Sequence, residues 1–133
     1  MFSTVLDIDT SSASTVDLTA RVAEFARSRG DGLLHVFVPH ATAGLALMET
    51  GSGSEGDLVA ALESLLPRDG RYRHRHGSPG HGADHVLPAI VSPSMVLAVE
   101  GGRLVLGTWQ SVVLVDLNAD NPRRQVRLTF LEG

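Results

Sequence analysis

Apolar positions recur along the chain with two periods. Phe2 to Ile8 alternates in polarity and is partly β-branched, which predicts an opening strand. Asp9 to Thr15 is a Ser/Thr loop, and Asp17 stands where a helix N-cap belongs, its carboxylate free to accept orphan amide hydrogens. Leu18, Val22, Phe25 and Ala26 then fall at helical spacing up to Gly30, a residue suited to the left-handed end of a helix. Leu33 to Val38 is a compact apolar run that predicts a buried strand, which Pro39 to Leu47 continues with small residues past His40. Gly51 to Gly56 predicts a loop, and Ser54 with Asp57 has the pattern of a capping box with Asp in place of Glu or Gln. A second helix carries Leu58, Leu62, Leu65 and Leu66 and stops before Pro67.

Arg68 to Gly82 has no apolar period and is the one long loop; long loops in compact domains often carry function. Ala83 to Ile90 predicts a short helix weakened by Pro88. From Ser94 onward the pattern is that of strands: Met95 to Val99, Arg103 to Leu106, Val112 to Leu117 and Gln125 to Leu131. Glu100-Gly101-Gly102 forms a turn between the first two, and Asn118 to Pro122 another before the last. The expectation is an α+β fold: one compact domain over residues 1–133, a mostly antiparallel β-sheet or sandwich with two main helices.

Composition narrows the function. The 133 residues are 43% hydrophobic and 20% charged, an ordinary balance for a globular protein. A net charge of −4 gives no global field to attract nucleic acid or an anionic membrane. The apolar runs fall short of the roughly 20 residues that cross a bilayer, and Met1 to Asp7 lacks the features of a secretory signal. A cytoplasmic location is the expectation. Every basic residue is arginine and cysteine is absent, so thiolate, Schiff-base and lysine-dependent phosphate-loop chemistries are excluded. Imidazole and carboxylate remain.

Six histidines are present. His35 lies within Leu33-Leu34-His35-Val36-Phe37 and reads as a strand histidine. His40 follows Pro39 at the end of a strand, among the small residues Ala41, Thr42, Ala43 and Gly44. His74 and His76 form a His-x-His pair, which presents two imidazoles together if the segment is extended. Arg71, Arg73 and Arg75 alternate with them; they would repel a cation unless an anionic ligand joins it, and they suit phosphate. His76 and His81 sit in the loop, and His85 follows Asp84. Glu49, at the end of an apolar strand, can orient a histidine or act as a general base, whereas Asp57 reads first as a capping carboxylate. Gly107-Thr108-Trp109-Gln110 is either a strand-edge bend with Trp109 in the core or a pocket wall. Arg123 and Arg124 are surface charges or anion clamps.

Several of these segments agree, in order, with one family. Pro39-His40-Ala41-Thr42-Ala43-Gly44-Leu45 resembles its His-x-Thr-Ala segment; Glu49, Asp57, Tyr72-Arg73-His74 and His85 follow at matching distances. Most specific are Ser94 to Val99, Gly102, and Gly107-Thr108-Trp109-Gln110-Ser111-Val112. The chain resembles the YjbQ-like family, also called the secondary thiamine-phosphate synthase family, from Asp17 to Arg123.

The resemblance implies a homotrimer of compact α+β domains, with a site near a subunit boundary where His40, His74 and His85 hold a divalent metal, zinc or magnesium. It implies a weak transferase activity, joining a pyrimidine pyrophosphate to a thiazole phosphate and expelling pyrophosphate. Glu49 and His40 would then be catalytic, Arg123 and Arg73 would contact phosphate, and Thr42, Asp57, His81, Thr108, Trp109 and Gln110 would line the pocket. Two other readings use the same residues: a trimeric binding module for a phosphorylated metabolite, and a metal-dependent hydrolase. The chain departs from the family at His81, where asparagine is usual four residues before the third histidine, and at Val86, where leucine is usual.

Overall fold

The computed structural model describes residues 1–133. The opening alternation forms β1 (Phe2–Asp9), and β2 (Thr15–Asp17) leads into α1 (Thr19–Ala26). The N-cap of α1 is Leu18 and not Asp17; Asp17 lies one residue earlier and accepts the Thr19 amide hydrogen through Oδ1 (2.9 Å) in an Asx turn. β3 (Gly32–Phe37) follows. The expected continuation through Pro39 to Leu47 is interrupted: residues 38–43 leave the ladder and β4 (Gly44–Met48) belongs to another sheet. Pro39 explains the break, since it offers no amide hydrogen to a ladder.

The second helix, α2 (Ser54–Leu65), starts earlier than its apolar residues suggest. Its N-cap is Gly53 in the left-handed region, so Ser54 is already helical and the Ser54–Asp57 capping box does not form. Glu55 instead accepts the Gly51 amide hydrogen. α3 (His81–Val86) runs into a 3-10 turn over Leu87–Ala89, with Pro88 in the turn. β5 (Ser94–Glu100), β6 (Arg103–Leu104), β7 (Ser111–Val115) and β8 (Arg123–Glu132) complete the chain.

All strand pairs are antiparallel. One sheet has the order β1-β8-β3-β5-β6, the other β2-β7-β4. Leu34, Val36, Leu128 and Phe130 from the larger sheet meet Val22 and Ala26 of α1 and Val112 and Leu114 of β7 in the main core. A second core lies beyond the small sheet, where Val113 and Val115 of β7 meet Leu62, Leu66, Ala83 and Leu87 from the α2–α3 layer. This accounts for Val112 to Val115: an unbroken apolar run marks a strand buried on both faces, while an alternating one such as β8 has one open face.

One ion pair joins the two sheets inside the protein. Arg124, on the inner face of β8, bonds Asp116, just beyond β7, through Nε–Oδ2 (2.7 Å) and Nη2–Oδ1 (3.0 Å). Both residues are at most 3% exposed. The carboxylate also accepts the Thr10 hydroxyl and the Asn118 amide hydrogen. Truncating one partner leaves a buried charge alone; Asp116→Ala should cost about 3–5 kcal/mol of folding stability, read by urea denaturation.

Candidate functional site

Four histidines meet where the long loop joins α3. His81 and His85 are four residues apart on α3, so the helix stacks them on one face and brings their Nε2 atoms to 2.9 Å. His74 comes from the loop, its ring centroid 4.0 Å from that of His85 and 5.5 Å from that of His81. His76 lies against His74 at 3.9 Å on the exposed side. Two glycines let the loop approach. A side chain at Gly77, where φ is +81°, would meet the His81 ring and Asp120; one at Gly82 would strike Tyr72. The adjoining cleft, about 410 Å³, is lined by residues that include Arg68, Tyr72, His74, Arg75, His76 and His81.

One candidate nitrogen each from His74, His81 and His85 lies within 4.8 Å of the others. Tetrahedral zinc with bonds of about 2.0–2.1 Å separates its nitrogens by roughly 3.3 Å, so a small adjustment would suit an ion. His74 Nδ1 is buried with no hydrogen-bond partner, a cost that a ligand would remove. Burial first, then the neighbouring imidazoles of His76 and His81, hold His74 below its ordinary pKa. Burial and then His74, His81 and His76 lower His85, against a smaller opposing effect of Asp84. Neutral imidazole is the form that binds metal.

The groups behind His81 are polar; Asn118 and Asp84 are buried and Asp120 is exposed. The Nδ1 of His81 faces Asn118 Oδ1 at 3.1 Å and Asp120 Oδ2 at 3.0 Å. Asp84, 2% exposed, lies 3.5 Å from the same atom and is paired with Arg68. Asn118 is tied to Thr42 Oγ1 through Nδ2 (3.3 Å), and Arg124 donates to that hydroxyl oxygen at 2.7 Å.

The structure thus brings together His74 and His85 of the expected histidine set and adds His81; within one chain His40 lies elsewhere. His40 lines a second cleft of about 510 Å³ with Asp7, Ile8, Asp9, Arg123, Arg124 and Gln125. Its Nε2 accepts the Gln125 amide hydrogen at 2.9 Å. Arg123 shares this cleft, whereas Arg73 lines neither; Arg75 takes the place beside the histidines. Glu49 and Asp57 are exposed and border neither cleft. Thr108, Trp109 and Gln110 form an exposed turn closed by the Gln110 side chain on the Gly107 amide. Trp109 is 73% exposed, so it is neither core nor pocket wall within the chain.

Sequence reasoning misses Asn118, Asp120 and the primary place of His81. A helix started at Ala83 leaves His81 in the loop and hides its one-turn spacing from His85. The signal for the others is the alternation Asp116-x-Asn118-x-Asp120 directly after an apolar strand.

Burial and the Arg124 charge lower the His40 pKa from its ordinary 6.5, outweighing the pull of Asp116. The fold therefore favours the neutral ring. Its contribution to stability is present above pH 6.5 and is lost as pH falls through the lower folded value. In an NMR titration the His40 ring signals should show a midpoint below 6.5.

With this geometry, comparison with known proteins is direct. Residues 4–133 match the family described as UPF0047 protein YjbQ-like. The UPF0047 protein Rv2556c of Mycobacterium tuberculosis is 64% identical over 129 residues, which are 97% of each chain. A UPF0047 protein of Archaeoglobus fulgidus is 32% identical, covering 84% of this chain and 86% of its own. The crystal structure of the hypothetical protein APE1520 from Aeropyrum pernix K1 superposes with a TM-score of 0.88 at 31% identity over the whole of both chains. In sequence and in fold, the chain belongs to the YjbQ-like UPF0047 family.

Proposed function

We propose that this protein is a metal-dependent transferase of the thiamine-phosphate synthase type, with low turnover, whose metal is held by His74, His81 and His85. The observation that carries the reading is the convergence of one nitrogen each from three imidazoles, with His74 Nδ1 buried and without a hydrogen-bond partner. An all-imidazole set suits zinc and leaves little reason for magnesium, which prefers oxygen ligands. In the reaction a carbon–nitrogen bond forms between the pyrimidine methylene and the thiazole ring nitrogen as a carbon–oxygen bond breaks and pyrophosphate leaves. A bound divalent ion supplies positive charge against that leaving group.

The chain's own residues supply the rest. Arg75 lines the cleft and is exposed, so it is available to phosphate. Arg68 lines it too, but its guanidinium is committed to Asp84. Arg123 and His40 border the other cleft, where a second phosphate group can be held. His40 Nε2 is occupied by the Gln125 amide hydrogen, which favours a binding role for this residue over proton transfer from that atom.

The homotrimer expected from the resemblance has a surface suited to it. The outer face of the larger sheet aligns Val5 with Arg127 and Phe37, and Leu33 with Leu131 and Ala98. Val5, Leu33, Val96 and Leu131 on this face are 44%, 48%, 59% and 56% exposed, apolar side chains set among His35, Arg127 and Thr129 that a partner subunit would cover.

Two measurements test the proposal. Purified protein should contain zinc by elemental analysis, and His85→Ala should lose it. Pyrophosphate should be released from the pyrimidine pyrophosphate only when the thiazole phosphate is also present, and a chelator should stop the release. Phosphate released from a single substrate would instead identify a hydrolase, and ligand binding without turnover a binding module. For the assembly, Val96→Glu should convert trimers to monomers in size-exclusion chromatography with light scattering; a wild-type monomer would refute the trimer.

A further inference from the structure

His81 is the buried member of the histidine cluster, 6% exposed, and the groups around it define its proton position. Three oxygens face Nδ1: Asn118 Oδ1, Asp120 Oδ2 and, farther away, Asp84 Oδ2. The orientation of the Asn118 amide follows from its neighbours. The backbone N–H of Asp120 can only donate, and it points at the Asn118 atom taken as Oδ1 (3.2 Å), so that atom is the oxygen. The opposite atom, Nδ2, reaches Thr42 Oγ1. All three oxygens facing Nδ1 are therefore acceptors, and the satisfied neutral tautomer carries its proton there.

We infer that Asn118, acting with Asp120, is a positioning residue for the histidine centre: it holds His81 with the proton on Nδ1 and the bare Nε2 turned toward His85 and His74. Asn118 is itself immobilised. It is 8% exposed, its amide hydrogen is bound to Asp116 Oδ1 at 3.0 Å, and Asp116 is locked to Arg124. The orientation of the buried His81 imidazole is thus set from the core through Asp116 and Asn118. In the metal-free protein the 2.9 Å contact between His81 Nε2 and His85 Nε2 then has one donor, the His85 Nε2–H. A carboxylate or amide oxygen behind a ligating histidine also raises its basicity toward a metal. The inference rests on the proposed metal centre for its purpose, but the tautomer is a property of the chain alone.

The test separates the two. Long-range proton–nitrogen NMR on metal-free protein should show His81 protonated on Nδ1 and His85 on Nε2. The Asn118→Leu, Asp120→Ala double variant should lose the His81 preference and bind zinc about 10- to 100-fold more weakly in a competition titration with a chromophoric chelator. Asn118→Asp keeps the acceptor oxygen and should retain both the tautomer and the affinity. Circular dichroism melting shows whether each variant is folded; should the double variant not fold, the wild-type tautomer and Asn118→Asp still decide. Wild-type His81 protonated on Nε2, or a folded double variant binding zinc as tightly as wild type, overturns the inference. If wild-type protein binds no zinc, the metal reading fails, and the tautomer alone decides the positioning.

Discussion

The buried pair Asp116–Arg124 is the constraint on which the site's architecture depends. Two charges removed from water cost several kcal/mol each unless their hydrogen-bonding capacity is met. Here it is largely met. The carboxylate takes two guanidinium bonds, the Thr10 hydroxyl and the Asn118 amide hydrogen, and the guanidinium also donates to Thr42. These partners come from the β1–β2 loop, the β3–β4 segment, the end of β7 and the start of β8. The pair therefore fixes the corner where the two sheets meet, with a directionality that apolar packing lacks.

This arrangement explains which parts of the molecule could be read from the chain. Strands and helices with a clear period were legible: β1, the Val22–Ala26 face of α1, and β5 through β8. The limits of the elements were less so, because local chemistry decided them. Pro39 ended β3, and Gly53 supplied the α2 cap assigned to Ser54. His74 and His85 were legible as candidates for the site, whereas His40, expected with them near a subunit boundary, lines a separate cleft of the single chain. The side chains that converge belong to a loop and a six-residue helix, too short for hydrophobic periodicity to mark its start. Asn118 reads locally as a turn residue, and its contact with His81 spans 37 positions, beyond the reach of any local pattern.

His81 gives the family comparison a chemical content. In a chain 64% identical to a mycobacterial UPF0047 protein, the site is built on a scaffold shared across wide sequence distance, as the TM-score of 0.88 to the Aeropyrum pernix structure shows. Within that scaffold, His81 places an imidazole one helical turn before His85. That ring has local support: the oxygens of Asn118, Asp120 and Asp84 stand behind it, so its second nitrogen is not left stranded.

The double burial of β7 has a consequence for cooperativity. The strand gives Val112 and Leu114 to one core and Val113 and Val115 to the other, so neither core is complete without the same backbone segment. A helix layer lying on a separate hydrophobic cluster can open as an independent unit in many proteins. Here, peeling α3 away uncovers the reverse side of a strand that the main core also uses. Opening of the histidine-bearing helix is therefore expected to be coupled to the global unfolding transition rather than to occur as a separate unit.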